Sequence, residues 1–481
     1  MPGRRVEESP IRPLVAFSAA TNLGIAGRAF RFEGEVPEAT RALLLGFGAR
    51  EDAHADVVVD HAGIRPPGRI PTSVADRLDR AAHWMPTTRA TAAELGDRVV
   101  GLRIAISLVL EPKTAVLALL LAEAGAEVSV FAFAAETDDA VAAELAARGV
   151  AIHASSTATP DEERRHALAL LDGRPHLLVD DGAHVIRLAH AERPEIVAGL
   201  IGATEETTSG VAPLRAMAAD GALAVPLIAA NDAVTKAWFD NRHGTGETCV
   251  LAIVRTLDDD LFGDRVVVVG FGPVGEGVAE RLRVLGATVT VVDTDPRRAL
   301  AARFAGYATA SIDDAVGDAD LIVSATGVPR TIDAAVLAAC RDDAVIAVAG
   351  GAPEEVLPPA GTRIERLAPH VERLHLPGGG SVRLLAGGDS VNIVAGEGNP
   401  IDVMDLSFAV QLAAIAALLS GDRFPPGVHV LPEATDRHVA ALAMGADIGG
   451  PVPSAPVGWR RTRFDIEHSN DTTQTSVSDI R

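Results

Sequence analysis

Two lysines are the first candidates for chemistry in this 481-residue chain. Among its 43 lysines and arginines, only Lys113 and Lys236 are lysines. A lysine that is desolvated or lies near another cation has a lowered pKa and can act as a base or nucleophile, whereas arginine stays charged. Both lysines occur in stretches rich in other motif residues, so each is a candidate functional group, with a purely structural role as the alternative.

A glycine-rich turn marks a second candidate site. A predicted strand ends at Gly270, and the pattern Gly270-x-Gly272-x-x-Gly275 leads into a helix predicted over Pro273–Leu285. Gly270 permits a tight turn, Gly272 lets the backbone approach a pyrophosphate, and Gly275 allows the helix to pack closely on the strand. The first helical residues, Pro273 and Val274, lie where amide groups can receive a phosphate. The pattern therefore predicts a dinucleotide site.

The end of the next predicted strand indicates which dinucleotide binds. Thr288–Val292 is followed by Asp293. A carboxylate at this place accepts hydrogen bonds from the ribose hydroxyls and repels a 2′-phosphate, so NAD is the predicted cofactor. Arg297 and Arg298 could shelter a 2′-phosphate instead, which keeps NADP as the alternative.

The composition excludes several classes of partner. The formal net charge of −22 argues against nucleic acid and anionic membranes, which would be repelled. Two cysteines are too few for a disulfide framework or a cysteine-rich zinc site, and no metal site is predicted. The first residues lack the apolar segment of a signal peptide, and the apolar stretches Thr114–Ala122 and Leu406–Leu419 are short for a bilayer span. We expect a cytoplasmic protein.

Strands and helices alternate from about Gly101 onward. Strands are predicted over Arg103–Leu110, Glu127–Ala134 and His176–Asp180, with a helix over Lys113–Ala124. Such alternation is typical of a parallel sheet with helices on both faces, so we predict an α/β protein with two doubly wound, Rossmann-like domains. The predicted parts are an extra N-terminal segment (1–75), a substrate-binding domain (76–245, completed by 403–450), an NAD-binding domain (246–402) and a partly disordered tail (451–481).

Four motifs resemble those of the S-adenosylhomocysteine hydrolase family, and the similarity covers roughly residues 84–450. The stretch Asn231-Asp-Ala-Val-Thr-Lys-Ala-Trp-Phe-Asp-Asn241 is similar to the family signature N-D-S-V-T-K-x-x-F-D-N. The others are Val179–Gly182, Gly202–Gly210 and Gly270–Gly277, which resemble L-D-D-G, G-x-S-E-E-T-T-T-G and G-Y-G-D-V-G-K-G. In that family a bound NAD oxidises a nucleoside 3′-hydroxyl, and the resulting ketone makes the C4′ proton removable. The 5′ substituent is then eliminated, water adds, and the ketone is reduced again.

The resemblance implies roles for individual residues. Lys236 and Asp240 would deprotonate and position the 3′-hydroxyl, and Lys236 would have a lowered pKa near the nicotinamide cation. Glu206 would bind ribose hydroxyls, and Asp181 would lie at the C4′ and 5′ end. His184 could replace a lost acid or base, although such a histidine more often caps a turn. The residues expected to hold NAD are Thr207, Thr208, Ser209, Asn241, Gly270, Gly272, Pro273, Val274, Gly275, Asp293, Thr326, Gly350 and Asn392.

The sequence departs from the family where a substrate would bind. Val109 stands in the place of a catalytic histidine, and Lys113 in the place of the glutamate that contacts adenine. Gly351 and Asn399 replace two further histidines. An ammonium donates hydrogen bonds, so Lys113 suits a carbonyl-bearing base, a carboxylate or a phosphate, unless it merely pairs with a nearby acid such as Glu111. The predicted substrate contacts are Lys113, Glu111, Asn399 and Met404.

These departures favour a working redox core that acts on a new substrate. We expect an enzyme that oxidises a nucleoside-type substrate transiently and then eliminates or epimerises, since the histidine that helps water addition is Val109 here. The alternatives are hydrolysis of S-adenosylhomocysteine and a non-catalytic, NAD-binding regulator that uses the extra N-terminal segment. The resemblance further implies a homo-oligomer, either a dimer or a tetramer.

Overall fold

The computed structural model of this protein describes residues 5–421 and 424–445. Three β-sheets are present within them, with helices packed around each. The tail predicted over 451–481 lies outside the described residues.

The strands are numbered along the chain. They are β1 (Ala29–Phe32), β2 (Arg50–Glu51), β3 (Val57–Asp60), β4 (Gly63–Arg65), β5 (Arg103–Ser107), β6 (Glu127–Phe131), β7 (Ala151–His153), β8 (Leu177–Asp180), β9 (Gly202–Glu205), β10 (Pro226–Ala229), β11 (Arg265–Val269), β12 (Thr288–Val292), β13 (Ala308–Thr309), β14 (Leu321–Ser324), β15 (Ala344–Val348), β16 (Arg363–Ala368), β17 (Val371–His375), β18 (Ser381–Leu385) and β19 (Gly427–Val430).

The α-helices are numbered in the same way. They are α1 (Arg12–Thr21), α2 (Glu38–Gly46), α3 (Val74–His83), α4 (Pro86–Leu95), α5 (Pro112–Glu123), α6 (Asp139–Ala147), α7 (Pro160–Asp172), α8 (His184–Glu192), α9 (Pro194–Val197), α10 (Thr208–Ala219), α11 (Val234–Lys236), α12 (Gly246–Leu257), α13 (Pro273–Val284), α14 (Pro296–Phe304), α15 (Ile312–Ala315), α16 (Ala334–Ala339), α17 (Val391–Val394), α18 (Ile401–Leu418) and α19 (Glu433–Ala443).

The N-terminal segment is more regular than its sequence indicates. Only Val57–Asp60 has the apolar run that predicts a strand, and in the structure this strand belongs to a four-stranded sheet of order β2-β1-β3-β4. The other three strands are only two to four residues long, and each contains an arginine. No apolar run therefore marks them in the sequence.

The two larger sheets confirm the predicted α/β, doubly wound class. The seven-stranded sheet has the order β19-β10-β9-β8-β5-β6-β7, and all its neighbouring strands are parallel. The eight-stranded sheet has the order β13-β12-β11-β14-β15-β18-β17-β16, with antiparallel pairing only from β18 to β16. In each sheet the strand order reverses beside the strand that comes first along the chain. This strand is β5 in the seven-stranded sheet and β11 in the eight-stranded sheet. Ligands of doubly wound sheets bind in the crevice at this point, beyond the carboxyl ends of the strands.

Helix α18 carries the chain back from the eight-stranded sheet to the seven-stranded one. By length and apolarity it is the one helix among the described residues that could cross a membrane, but 67% of it is buried inside the protein. It packs against α4, where the buried Asp405 accepts hydrogen bonds from the backbone N–H groups of Thr87 (3.0 Å) and Thr88 (2.6 Å). We therefore interpret α18 as a core helix.

Candidate active site

The site is built from loops that follow adjacent strands of the seven-stranded sheet. Asp181 follows β8 and Glu206 follows β9, while Lys236 ends the short helix α11 that comes after β10. Because these strands are parallel neighbours, their carboxyl ends bring the three side chains to one edge. A π-helical segment, Ala237–Thr245, follows Lys236 and carries Asp240 inward. Wide helical turns of this kind are rare and often occur at functional sites.

Lys236 lies at the centre of a buried polar cluster. Its side chain is 3% exposed, and its Nζ donates to Oδ1 of Asn241 at 2.8 Å. The same Nζ lies 3.0 Å from Oδ2 of Asp240 and 3.5 Å from Oε1 of Glu206. The structure thus brings together four residues that the sequence predicts for the site.

The ionisation of Lys236 differs from the prediction. Burial alone would lower its pKa, but the carboxylates of Asp240 and Glu206 outweigh burial and raise the pKa above its ordinary value. The expectation of a lowered pKa is wrong for the protein's own residues, because sequence spacing does not reveal a second carboxylate that arrives from another loop. A lysine in this setting remains an ammonium unless one of its acidic neighbours takes its proton.

Glu206 is the member of the cluster that titrates near neutrality. Burial raises its pKa to about 7, against the attraction of the nearby Lys236 ammonium. A general base or acid is most effective when its pKa lies near the working pH. Glu206 is therefore a candidate acid–base group of the cluster.

Helix α18 supplies two residues of the site that the sequence analysis does not identify. Oγ of Ser407 donates to Oδ2 of Asp240 at 2.8 Å, and Nε2 of Gln411 donates to Oε2 of Glu206 at 2.5 Å. Both side chains are fully buried. They lie four residues apart and so on one face of the helix. After Asp405 they are the only polar residues of the helix, and two polar residues at this spacing in an apolar run are the signal that could have revealed them.

Asn399 belongs to the buried polar cluster around Lys236, although the sequence predicts it as a substrate contact. Its Nδ2 donates to Oδ1 of Asp240 and to Oγ1 of Thr245, while its Oδ1 accepts a hydrogen bond from Nδ2 of Asn392 at 2.8 Å. Its carboxamide is therefore occupied by the protein. Met404, another predicted substrate contact, is 9% exposed and belongs to the main apolar core.

A second carboxylate network fixes the loops that carry Asp181 and Thr207. Glu205 is completely buried, and its Oε1 accepts from the backbone N–H groups of Gly182 (2.8 Å) and Thr207 (3.0 Å). A Cβ on Gly210 would lie 2.2 Å from this Oε1, so glycine is needed there. The sequence analysis assigns no role to Glu205. Burial raises the pKa of Asp181 as well, and the charge of Asp240 adds to the effect.

His184 does not join the cluster. Its ring meets Phe133 edge to face, with centroids 5.0 Å apart, and burial lowers its pKa. It lines a surface cavity of about 820 Å³ together with Leu188 and Met217. No hydrogen bond or ion pair connects His184 with Lys236 in the part of the chain that the structure describes. Its catalytic role stays a prediction that this geometry does not favour.

Lys113 and Glu111 form a buried ion pair at the start of α5. Nζ of Lys113 is inaccessible to solvent and lies 2.5 Å from Oε2 of Glu111. It also donates to the backbone carbonyl of Glu397 at 3.2 Å. The pairing that the sequence analysis weighs against a substrate role is therefore present.

The glycine-rich loop has the shape that a dinucleotide requires. Gly270 adopts φ +94°, and a Cβ on Gly275 would lie 1.9 Å from the carbonyl oxygen of Gly270. At Gly272 a Cβ would meet only the Arg298 guanidinium, at 3.5 Å, so the backbone is open to a phosphate. Pro273 is the first residue of α13, as predicted. The residues present fit an NAD pyrophosphate.

Asp293, which is predicted to bind the ribose hydroxyls, makes structural hydrogen bonds within the protein. Its Oδ2 accepts from the backbone N–H of Phe271 at 2.7 Å, and its Oδ1 from that of Asp295 at 2.8 Å. These bonds hold the glycine-rich loop against the end of β12. Arg297, which the NADP alternative would use, is instead paired with Asp295 at 2.6 Å and is largely exposed.

The other predicted cofactor residues differ in whether their side chains are already hydrogen-bonded within the protein. Asn392 is buried, and its Oδ1 lacks a partner among the described residues, as expected of an acceptor that receives a ligand amide. A Cβ on Gly351, next to Gly350, would lie 3.3 Å from Oγ of Ser209, so the two large sheets approach each other here. The remaining side chains are held within the protein: Thr207 by Glu205, Thr208 by Asn231, Asn241 by Lys236 and Asn231, and Thr326 by Glu355. No group of side chains suited to a metal ion occurs among the described residues.

Two family models match the chain. Residues 75–197 match the model described as S-adenosyl-L-homocysteine hydrolase, and residues 241–398 match its NAD binding domain. The two matches cover strands β5–β8 and β11–β18, and the stretch between them, residues 198–240, contains Glu206, Lys236 and Asp240. The second match indicates NAD as the cofactor, in agreement with the prediction.

Individual relatives are similar over most of their length. An adenosylhomocysteinase of Pyrococcus abyssi is 39% identical over 383 residues, which cover 77% of this chain and 91% of the relative. An S-inosyl-L-homocysteine hydrolase of Methanothermobacter thermautotrophicus is 40% identical over 393 residues, covering 78% and 94%. Another such hydrolase, of Methanopyrus kandleri, is 37% identical over 390 residues, covering 79% and 92%.

Proposed function

Because the chain belongs to the S-adenosyl-L-homocysteine hydrolase family, we propose that it transiently oxidises the 3′-hydroxyl of a nucleoside-type substrate. The bound NAD would accept the hydride. The resulting 3′-ketone would acidify the C4′ proton, and the 5′ substituent would then be eliminated. The observation that carries this proposal is the buried cluster of Lys236, Asp240, Asn241 and Glu206, because NAD binding alone does not require a buried base.

Proton transfer in the cluster can be stated atom by atom. Oxidation of the 3′-hydroxyl releases the proton of O3′, and neutral Lys236 would accept it. In the protein alone Lys236 is an ammonium, because its carboxylate neighbours raise its pKa; it would serve as the base after losing that proton, which Glu206, 3.5 Å away, would relay. Asp240 is held by Ser407 and Asn399, so it would fix Lys236 in position. Asp181, whose pKa burial raises, would serve the C4′ and 5′ end.

Hydrolysis of a homocysteine nucleoside thioether is the second candidate. The relatives named as S-adenosyl- and S-inosyl-L-homocysteine hydrolases support it. Lys113 stands where the family has a glutamate, and an ammonium donates hydrogen bonds rather than accepting them, so it favours a base with a carbonyl group, such as a 6-oxopurine, over the amino group of adenine. We therefore propose that S-adenosylhomocysteine is a poor substrate, turned over well below the rate of about 10 per second that is typical of enzymes.

A substrate screen tests the proposal. The NAD-loaded protein is mixed with nucleosides and homocysteine thioethers that carry amino- or oxo-bases, and NADH is followed by its near-ultraviolet absorbance. A true substrate should also exchange its C4′ hydrogen in heavy water, and the released 5′ product distinguishes elimination from hydrolysis. If no nucleoside reduces the bound cofactor, the redox mechanism is wrong. Rapid release of adenosine from S-adenosylhomocysteine would instead support ordinary hydrolysis.

A further inference from the structure

The N-terminal segment, residues 5–75, lies ahead of the matched family models, the first of which begins at residue 75. It is nevertheless part of the main core. Leu14, Phe17 and Phe30 are buried in the same apolar cluster as Ile253 of α12, against which α1 packs. Close packing also occurs between α2 and α13, where a Cβ on Gly46 would lie 2.5 Å from a methyl group of Val284. The segment is therefore firmly attached to the nucleotide-binding part of the protein.

The turn after α1 binds the loop of residues 397–402, which is part of the candidate active site. Nδ2 of Asn22 donates to the carbonyl oxygen of Glu397 at 2.7 Å, and the N–H of Ile401 donates back to the carbonyl oxygen of Asn22 at 2.8 Å. The backbone N–H of Gly24 donates to Oδ1 of Asp402 at 2.9 Å. Both ends of the loop are thus bound by two residues of the N-terminal segment, Asn22 and Gly24.

A charged pair reinforces this contact. Nη2 of Arg28 lies 2.8 Å from Oδ2 of Asp402, and the Arg28 side chain is 9% exposed. Its Nε donates to the carbonyl oxygen of Gly24 at 2.8 Å, so one guanidinium ties the turn to the loop. Hydrogen bonds to ionised groups are about twice as strong as neutral ones.

The next residues of the turn are anchored on α12. The buried Glu247 accepts from the N–H groups of Ile25 (2.8 Å) and Ala26 (3.1 Å). Burial raises the pKa of Glu247 to about 7. Without the N-terminal turn, this carboxyl would lose both donors, so the turn and α12 depend on each other.

The loop 397–402 carries Asn399, whose side-chain amide donates a hydrogen bond to Asp240. Asp240 in turn contacts Lys236. A continuous line of contacts therefore runs from Asn22 through Glu397 and Asn399 to the Lys236 cluster.

We propose that the N-terminal segment is a positioning element of the active site. Through Asn22, Gly24 and Arg28 it fixes the loop 397–402 and thereby holds Asn399 against Asp240. The effect on catalysis rests on the proposed function, whereas the effect on the loop does not. Catalytic groups must be held within a fraction of an ångström, and a displacement of about 1 Å costs roughly 100-fold in rate.

The test begins with Asn22→Gly. Asn22 has φ +48°, which glycine adopts without strain, so the variant removes the side-chain donor and keeps the turn. We expect cofactor reduction by substrate to slow at least tenfold, with little change in KM, in NAD content or in melting temperature. The matched control is Arg41→Ala, which removes another ion pair of the same segment, with Glu51, and should react at the normal rate. Arg28→Met should slow the reaction, and Arg28→Lys should restore much of it.

A double-mutant cycle separates positioning from general stability. If Asn22 acts through Asn399, the combination Asn22→Gly with Asn399→Ala should be no slower than Asn399→Ala alone. Additive losses, or a normal rate for Asn22→Gly, would overturn the proposal.

Hydrogen exchange tests the proposal without any activity. The backbone N–H of Gly398, which follows the residue that the Asn22 side chain binds and donates to the carbonyl oxygen of Asn392, should exchange faster in Asn22→Gly than in the unmodified protein, and unchanged protection would overturn the inference. A failure of every nucleoside to reduce the cofactor in the unmodified protein would overturn the proposed function alone.

Discussion

At the scale of single residues, the acidic surroundings of Lys236 decide what it can do. Asp240 and Glu206 raise its pKa, so it is a base only as part of a cluster that can take over its proton. Arginine would keep the positive charge of Lys236 but could not exchange a proton with the two carboxylates, so it cannot replace this lysine.

Lys236→Arg should therefore abolish turnover while the protein still binds NAD. Guanidinium keeps the positive charge but cannot accept a proton near neutral pH. We expect at least a 100-fold loss of both NADH formation and C4′ exchange. Lys113→Met is the comparison, since it removes the other buried lysine. It should retain the redox step and raise KM or change the preferred base. Full activity of Lys236→Arg would contradict the mechanism.

The raised pKa of Glu136 predicts that the stability of the protein depends on pH. It ends a 3₁₀ turn, Ala134–Glu136, and burial raises its pKa to about 8 from an ordinary value of 4.5, with Asp181 and Asp389 adding to the shift. Between these two pH values the folded protein keeps a proton that the unfolded chain releases, so the free energy of unfolding falls as pH rises.

Glu136→Gln removes this titration and keeps the shape of the side chain. Its melting temperature should equal that of the unmodified protein below pH 4.5 and exceed it by pH 8. Thermal melts across this range measure the difference. A constant offset between the two proteins at all pH values would show that Glu136 does not bind the extra proton.

At the scale of elements, two glycines in the turn between β11 and α13 have different functions. One is needed for folding, and the other leaves room for the cofactor. A Cβ on Gly275 would collide with the Gly270 carbonyl, whereas one on Gly272 would meet no atom closer than 3.5 Å. We expect Gly275→Ala to destabilise the domain. Gly272→Ala should keep the melting temperature of the NAD-free protein but lower its NAD content severalfold, because the methyl group occupies the path of the pyrophosphate. Equal NAD content in Gly272→Ala would place the cofactor elsewhere.

Helix α18 shows how one element serves two purposes. Its apolar residues fill the core, while Ser407 and Gln411 donate to Asp240 and Glu206. Residues from the far end of the chain thereby set the position of carboxylates that lie about 200 positions earlier.

At the scale of the whole molecule, the N-terminal segment is built into the nucleotide-binding part. Gly46 packs against Val284 so closely that Gly46→Ala should cost about 1–3 kcal/mol of unfolding free energy through overpacking. Val284→Ala in the same chain should recover much of this loss, because it removes the methyl groups in the way. Denaturant unfolding of the single and double variants measures the effect. Additive destabilisation would show that the two residues are not in contact.

The sequence by itself determined the family, the cofactor and the fold class. These depend on local chemistry: Gly270 and Gly275 must be glycine for steric reasons, Gly272 leaves the backbone open to a phosphate, Asp293 follows a strand, and the motif around Lys236 is contiguous. Alternating apolar strands and helices indicate a parallel sheet, because the pattern repeats within each short stretch. The predicted domain boundaries remain predictions.

Only the tertiary structure decided how the site residues meet. The raised pKa of Lys236, the pairing of Lys113 with Glu111 and the place of Asn399 against Asp240 all depend on loops that are distant in sequence. The attachment of the N-terminal segment depends on Asn22 and residues almost 400 positions later. Such contacts follow from how helices pack on sheets, and packing between distant segments leaves no periodic signal in a single sequence.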